Sequence, residues 1–303
     1  VTSAALVRPY ATRDADAAAA LVAAEWPHRA SEAEQLRRGE LDPEAKRWAA
    51  ADPLGGGPVA YAALWRVRGD RFRMDLLVAP EWRRRGIGEE MLRRVLAAAE
   101  GEGAATLQAR AYESAEDAIG FLHRRGFAAT MRMVGLALDL RTIDPDRLAA
   151  YERAAIGQGF AITTLADEQR RDPASLHRLN ELYDAAREGW PDPDPRPDPP
   201  EPIGYDAFLR LLDEFPTDAE SFFIARVGDR YVGFTGSLGT AVHPAFRGRG
   251  LATALKARLA LHACEIGRTL LETSTGHPAM LRANETIGFR RTYTEVRLVR
   301  RIQ

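Results

Sequence analysis

Cysteine is almost absent from this sequence: Cys264 is the only one in 303 residues. A lone cysteine excludes an internal disulfide, and such usage fits a reducing cytoplasm. Cys264 sits in the apolar run LALHACEIG, where a small buried hydrophobe is a simpler reading than a nucleophile. Net charge is also lacking, with 42 Lys and Arg against 43 Asp and Glu. No global field therefore draws the protein to nucleic acid or membrane, and any basic site must be local. No apolar run approaches the ~20 residues that span a bilayer. The stretch VTSAALVRPYATRDAD meets Asp14 and Asp16 too early for a secretory signal, so a cytoplasmic location is expected. There is no Gly-Lys-Ser/Thr, which excludes a nucleotide-hydrolysing phosphate loop, and no Gly-x-Gly-x-x-Gly with a downstream acid. Nor is there a His/Cys cluster for a metal or an aromatic-basic interleaving for nucleic acid.

What is present points to two globular domains. Hydrophobic residues make up 46% and charged residues 28%, a soluble balance, and the length suits two domains of about 150 residues. The first half alternates strand and helix patterns. Ala5 to Pro9 reads as a strand, and Asp14 as the cap of an alanine-rich helix ending near Trp26-Pro27. Ser31 to Gly39 reads as a helix. Val59 to Val67 and Phe72 to Val78 read as strands around an Arg68-Gly69-Asp70 turn. The run IGEEMLRRVLAAAE carries Ile87, Met91, Leu92, Val95 and Leu96 on one helical face. Strand 106–110, helix 115–125 closed by Gly126, and strand 127–140 complete the half. The charged stretch around Asp144-Pro145 marks a junction, which gives domains 1–142 and 158–303 with a linker at 143–157.

The order then restarts. Phe160–Thr164 is a strand pattern and Pro173–Gly189 and Tyr205–Phe215 are helical. Strands at 222–227 and 231–234, helix 249–266, strand 269–273, helix 278–287 and a closing strand pair follow. The two halves share a motif: VAPEWRRRGIG from Val78 to Gly88, and VHPAFRGRGLA from Val242 to Ala252. Each leads into an amphipathic helix, a strand, a second helix and a Gly-Phe pair. From Gly86 to Gly126 is 40 positions, and from Gly250 to Gly288 is 38. One Arg-Gly turn is weak evidence, but two with matched flanks form a repeat at domain scale. One mismatch stands out. The first half spends 20 residues, Val59 to Val78, on a hairpin for which Tyr231 to Val242 leaves room for little more than one strand. Either the second hairpin is truncated or a loop near 237–240 is missing from the sequence; the latter is the expectation.

The repeated turn has a definite chemistry. A strand that passes through glycines into a helix exposes the first helical N–H groups, which have no intrahelical partner. They carry the positive end of the helix dipole and suit an anion. Glycine lets phosphate oxygens approach the backbone, and arginines can fork onto them. The alternative is a solvated basic helix start, which the second copy disfavours.

This spacing closely resembles motif A of the GNAT superfamily of N-acetyltransferases, Arg/Gln-x-x-Gly-x-Gly/Ala. Arg83, Gly86 and Gly88 match it in the first half, and Arg247, Gly250 and Ala252 in the second. The resemblance covers most of the chain and implies an α/β (α+β) class: two tandem GNAT folds, each a mixed, mostly antiparallel sheet flanked by helices and splayed beside motif A. It implies acetyl-CoA as co-substrate, its pyrophosphate held by Val78, Arg83, Arg84, Arg85, Gly86, Ile87 and Gly88. The second copy would use Val242, Arg247, Gly248, Arg249, Gly250, Leu251 and Ala252.

In this family an amine attacks the thioester directly. A base or water chain takes a proton, a backbone N–H near Val78 or Val242 meets the oxyanion, and an acid protonates the thiolate. That acid is often a tyrosine four residues before the Gly-Phe glycine. The sequence departs from the pattern there, with Leu122 in the first half and Asn284 in the second. Asn284 can hydrogen-bond sulfur or pantetheine, so it joins the catalytic and cofactor-binding candidates, and the second domain is expected to be the catalytic one. Glu272 is a candidate base or a plain surface carboxylate. Tyr293 is a candidate acid or a sheet-packing ring. His277 reads as a helix cap or a ligand-facing group, His243 as exposed beside the strand end, and Asp75 and Tyr112 are the polar candidates of the first domain. The segment WPDPDPRPDPPEP, 190–202, is stiff and acidic, either a wall for a cationic amine or a surface loop. The expected function is acetyl transfer to the amine of a small molecule or peptide. A non-catalytic acetyl-CoA-binding tandem protein is the alternative.

Overall fold

The architecture follows from which strands can bury both faces and which only one. A computed structural model describes residues 6–40, 42–52, 55, 57–187, 189–195, 201–215 and 217–302. The chain divides into two units, Val1–Thr130 with Val296–Gln303, and Met131–Glu295.

The first unit runs β1 (Leu6–Pro9), α1 (Ala15–Glu25), α2 (Ala30–Arg38), β2 (Lys46–Ala51), β3 (Pro58–Arg68), β4 (Arg71–Val78), α3 (Ile87–Gly101), β5 (Thr106–Tyr112) and α4 (Glu116–His123), and ends in the first residues of β6 (Ala128–Asp139). Strands β1 to β4 pair antiparallel in sequence order, and β5 joins β4 in parallel. Central β3 is buried on both faces over most of its length, which explains its nearly unbroken apolar run. Ala60, Ala62 and Leu64 pack with Ile87, Met91, Leu92 and Val95 of α3. Tyr61 and Ala63 face Ala18, Val22 and Trp26 of α1 and Leu36 of α2. The sheet is thus covered on both faces.

The second unit contains the rest of β6, then α5 (Pro145–Gly157), β7 (Ala161–Thr164), α6 (Leu165–Arg171), α7 (Ser175–Arg187), α8 (Tyr205–Glu214), β8 (Phe223–Val227), β9 (Arg230–Gly236), β10 (Gly239–Val242), α9 (Leu251–Glu265), β11 (Leu270–Thr275) and α10 (Pro278–Ile287). The last strand, β12 (Arg290–Arg301), begins in this unit and ends in the first. Four strands form an antiparallel sheet in the order β10-β9-β8-β7, while β11 pairs antiparallel with β6. Helices α9 and α10 bury Ala257, Ala260 and Ile287 against Leu136 and Leu138 of β6.

Most of the expected elements are present, and five expectations change. Asp14 does not cap α1; its carboxylate takes a forked pair from Arg8 at 2.6 and 2.7 Å and the Ala11 N–H at 2.8 Å. The linker expected at 143–157 contains α5, capped by the Asp144 side chain at the Asp146 and Arg147 N–H groups. The unit limits differ from the expected domain limits because Val296 and Leu298 are buried in the first unit's core. The hairpin at 231–242 is truncated rather than open: β9 turns directly into four-residue β10, with Gly236 opposite Gly239 and Gly239 at φ +87. The closing strand pair is the single strand β12. Strand β2 was not foreseen at all. Its sequence, KRWAAA, lacks β-branched residues, and its pairing with β1 and β3 overrides propensity.

Tyr293 lies flat over Gly135, where an added Cβ would meet the ring at 2.1 Å. Gly135→Ala is therefore expected to destabilise the protein by about 1–3 kcal/mol, the usual cost of overpacking. Adding Tyr293→Ala should relieve the loss, as read by denaturant unfolding of both variants.

Candidate active site and its two cradles

The repeated motif folds the same way twice. Strands β4 and β10 end at Val78 and Val242, and a 3-10 turn follows, Pro80–Trp82 in one unit and Pro244–Phe246 in the other. The next residue, Arg83 or Arg247, is extended and folds its Nε back onto the carbonyl of Val78 at 3.0 Å or of Val242 at 3.1 Å. Arg83 also ion-pairs with Glu25, and Arg247 Nη2 donates to Ala186 O at 3.1 Å. These two arginines brace the turn. The following position is left-handed, at φ +62 for Arg84 and +79 for Gly248. Arg85 and Arg249 stack over Trp82 and Phe246 at 4.8 and 5.5 Å.

Gly86 (φ +82) and Gly250 (φ +76) are the N-caps of α3 and α9, a backbone state that other residues adopt only under strain. Neither offers a side-chain cap. The first intrahelical bonds reach the caps from Glu90 N and Ala254 N, at 3.1 and 3.0 Å. Ahead of them, the N–H groups of 87–89 and 251–253 have no backbone acceptor among the described residues. The Ile87 and Leu251 side chains are buried and anchor the helices, so these two positions offer only backbone donors. A Cβ on Gly88 would touch Phe121 and Val78 at ordinary distance, 3.6 and 3.8 Å, so Ala252 can occupy the equivalent place. The cradles differ in charge. The first turn of α3 carries Glu89 and Glu90, whereas that of α9 has no acid. Hydrogen bonds from Arg93 and Arg94 hold Glu90 down at about 2, so it stays anionic beside the first cradle.

Beside each cradle two strands part. In the first unit β4 and β5 pair only over Arg71–Arg73 and Thr106–Gln108. Past that point Asp75 and Arg110 bridge the gap through bonds of 2.9 and 2.7 Å, and Arg29 adds a third at 3.3 Å. Arg29 and Arg110 both stack on Trp26, and His28 Nδ1 shares a hydrogen bond with the Tyr112 hydroxyl. In the second unit β10 and β11 lie in different sheets. Gly239 stands three residues before Val242, as Asp75 does before Val78. Glu272 stands 16 before Gly288, as Arg110 does before Gly126. The ion pair has no counterpart there.

Asn284 of α10 is 0% exposed, and neither its Oδ1 nor its Nδ2 has a hydrogen-bond partner among the described residues. A buried amide left in this state costs about 1–3 kcal/mol or more. Leu122, its first-unit equivalent, simply packs in the core. Glu272 is exposed and lies opposite Ala137 in the sheet, in phase with Ser274 opposite Gly135. Tyr293, over Gly135, shares that face, whereas Asn284 belongs to the helix packed on the other. The structure thus groups Glu272 with Tyr293 and separates both from Asn284. His277 caps α10, its Nδ1 accepting from Ala279 N at 3.2 Å, and His243 caps the 3-10 turn in the same way. Of the 190–202 segment, residues 196–200 lie outside the described residues.

Residues 11–127 match the acetyltransferase (GNAT) family model. The matched segment, 117 of the 303 residues, belongs to the GNAT family of acetyltransferases. No curated protein sequence matches it. Solved structures extend the fold likeness to the whole chain. A GCN5-related N-acetyltransferase from Sphaerobacter thermophilus is 20% identical, with a TM-score of 0.73 over 99% of this chain and 96% of that one. A tandem GNAT protein from the clavulanic acid biosynthesis pathway is 19% identical, with a TM-score of 0.63 over 98% of both chains. A fungal GCN5-related glucosamine N-acetyltransferase region within a multi-domain GH3 β-N-acetylglucosaminidase is 15% identical at a TM-score of 0.73; this chain spans 38% of that protein. The GNAT fold therefore occurs twice, as the repeat implied. Among the described residues no helix is long and apolar enough to cross a membrane.

Two features of this GNAT pair escaped sequence reasoning. The Asp75–Arg110–Arg29 cluster joins three distant segments, and only Asp75 was singled out. The other is Lys256, on the buried face of α9 and 7% exposed, which burial alone pushes down to about 8. The lysine inside the apolar run LATALKARLALHA was the available signal.

Removing Asp75 by Asp75→Ala leaves Arg110 and Arg29 without their shared carboxylate and is expected to cost about 3–5 kcal/mol in denaturant unfolding. Lys256 has the opposite signature. Its folded value lies below its unfolded one of 10.5, so the unfolded chain binds more protons between about 8 and 10.5. Stability should rise with pH across that window. Lys256→Met should remove the rise and be more stable than the natural protein at neutral pH by up to about 3 kcal/mol, the size of such a shift.

Proposed function

We infer that the chain is an acetyl-CoA-dependent N-acetyltransferase that acetylates an amine of a small molecule or peptide, with the second unit as the catalytic one. The observation that carries this reading is Asn284, whose amide is wholly buried and, among the described residues, without partners in the same unit as an acid-free cradle. Such a group is retained where a ligand completes it. The residues fit acetyl-CoA in three ways: open N–H donors at 251–253 for a pyrophosphate, left-handed Gly248 and Gly250 that let oxygens approach, and an amide able to both donate and accept along a pantetheine arm. When bound, that group supplies the activated acetyl thioester.

The chain's own residues would then work as follows. Arg247 holds the turn closed, and the backbone of Val242 to Leu251 holds the anion. Glu272, exposed on the opposite sheet face and without an ion pair among the described residues, accepts a proton from the incoming ammonium, directly or through water. Tyr293 packs against Gly135, which supports a structural role for it. The first unit reads as a binding or scaffolding copy: its gap is bridged by the Asp75–Arg110 pair, its cradle carries Glu89 and Glu90, and Leu122 offers no polar group. An amino sugar belongs in the acceptor screen, because the fungal relative is described as a glucosamine N-acetyltransferase region. The lone cysteine favours a cytoplasmic setting.

Asn284→Leu separates this reading from a purely structural one. It removes two unsatisfied atoms, so the fold should gain about 1–3 kcal/mol, while acetyl-CoA binding in calorimetry should weaken about tenfold through the lost hydrogen bonds. Lost stability with unchanged affinity would sink the assignment.

A further inference from the structure

The two halves repeat a second, shorter feature. Trp26-Pro27 follows α1, and Trp190-Pro191 follows α7. In each unit the first arginine of the cradle motif reaches the residue before the tryptophan. Arg83 ion-pairs with Glu25, and Arg247 Nη1 lies 3.5 Å from where a Cβ on Gly189 would stand. The same two arginines hold the carbonyls of Val78 and Val242. Each tryptophan therefore begins one residue from the brace at the strand end, beside its own cradle.

The surroundings of the two rings differ. Trp26 is 5% exposed, and the guanidinium carbons of Arg29 and Arg110 lie 4.9 and 5.0 Å from its ring centre. Asp75 accepts hydrogen bonds from both arginines. An aromatic face with a carboxylate close by attracts a cation, and in the first unit the chain's own side chains supply it. Trp190 is 37% exposed and meets Tyr183 at a steep angle, with ring centres 5.4 Å apart. Among the described residues no guanidinium or ammonium stands over Trp190. Arg187 lies over Tyr183 instead and is tied to Asp184 at 3.3 Å. The sequence counterpart of Arg110 is Glu272, and Asp192 and Asp194 follow Trp190 within four residues. The second unit thus keeps the ring in acidic company without the protein's own cation.

We propose that Trp190 binds a cationic group of the acceptor, as Trp26 binds Arg29 and Arg110 within the first unit. This rests on the acetyl-CoA reading above. The group on Trp190 is not the nitrogen that reacts. An aromatic face favours the charged form of a nitrogen placed over it, whereas a nitrogen that attacks a thioester must first give up its proton. The group held there is one that stays charged. The acceptor therefore carries at least two basic groups: an amine to be acetylated and a guanidinium or second ammonium that rests on Trp190. Trp190 determines specificity and takes no part in the proton transfers.

The probes are agmatine, an alkylamine with a guanidinium at its far end, and pentylamine, which has the amine and no second charge. Trp190 is the only tryptophan of the second unit. In the full chain labelled with fluorotryptophan its fluorine NMR signal is identified by its loss in Trp190→Leu. Agmatine should shift that signal at a concentration about 5- to 30-fold lower than pentylamine, with or without CoA present. In calorimetry Trp190→Leu should lose agmatine affinity by a similar factor and hold both amines equally, whereas Trp190→Tyr should recover part of the preference. A ring that only packs the fold would not distinguish the two probes. No response of the Trp190 signal to agmatine, equal responses to both amines, or unchanged agmatine affinity in Trp190→Leu would overturn the proposal. An absence of CoA binding in the natural protein is a separate result and would overturn the acetyl-CoA reading itself.

Discussion

Two neighbouring strands that stop pairing leave backbone donors and acceptors that must be met by something else. That constraint organises both halves of this protein. In the first unit the strands part past Arg73, ahead of Val-x-Pro, and Arg83 and Arg247 then pin the chain's next turn to the carbonyls of Val78 and Val242. The turn then has to swing through two left-handed positions into a helix. A gap between strands and an uncapped helix start therefore arise together. Either alone would be a local irregularity; side by side they have the donors that an extended ligand with an anionic end requires.

The two units answer the constraint differently. The first bridges its gap with Asp75, Arg110 and Arg29, a cluster that is self-sufficient in charge and buttressed by the Trp26 ring. The second places Gly239 and Glu272 at the corresponding positions and leaves two polar groups, Asn284 and Lys256, without compensation in the helix-packed core. An ion pair across the gap favours rigidity, whereas a buried amide and amine without compensation cost stability.

Legibility from sequence tracked locality. The cradle residues were readable because their work is done within eleven consecutive positions, and the glycines announce the left-handed backbone directly. Helix α10 was readable to the residue because Pro278 and Gly288 punctuate it. Strand β2 was invisible because alanines carry no strand signal and its neighbours decide its state. The role of the motif's first arginine was legible only in part: its charge suggested a phosphate fork, yet its Nε is spent on a carbonyl five residues back. Asn284 was picked out by its distance from a Gly-Phe pair, but its isolation is a tertiary fact. So is the assignment of Tyr293, whose ring fills the space that Gly135 leaves, and so is the separation of Glu272 from Asn284 across the sheet.

Val296 and Leu298 complete the core of the first unit, although nearly the whole second unit is translated before them. Chains emerge and fold N-terminal part first, so the first unit must wait with an unfilled core until these later residues arrive. A gene cut between the repeats would not release two self-sufficient halves. The duplicated fold is, in its assembly, a single closed loop of dependence.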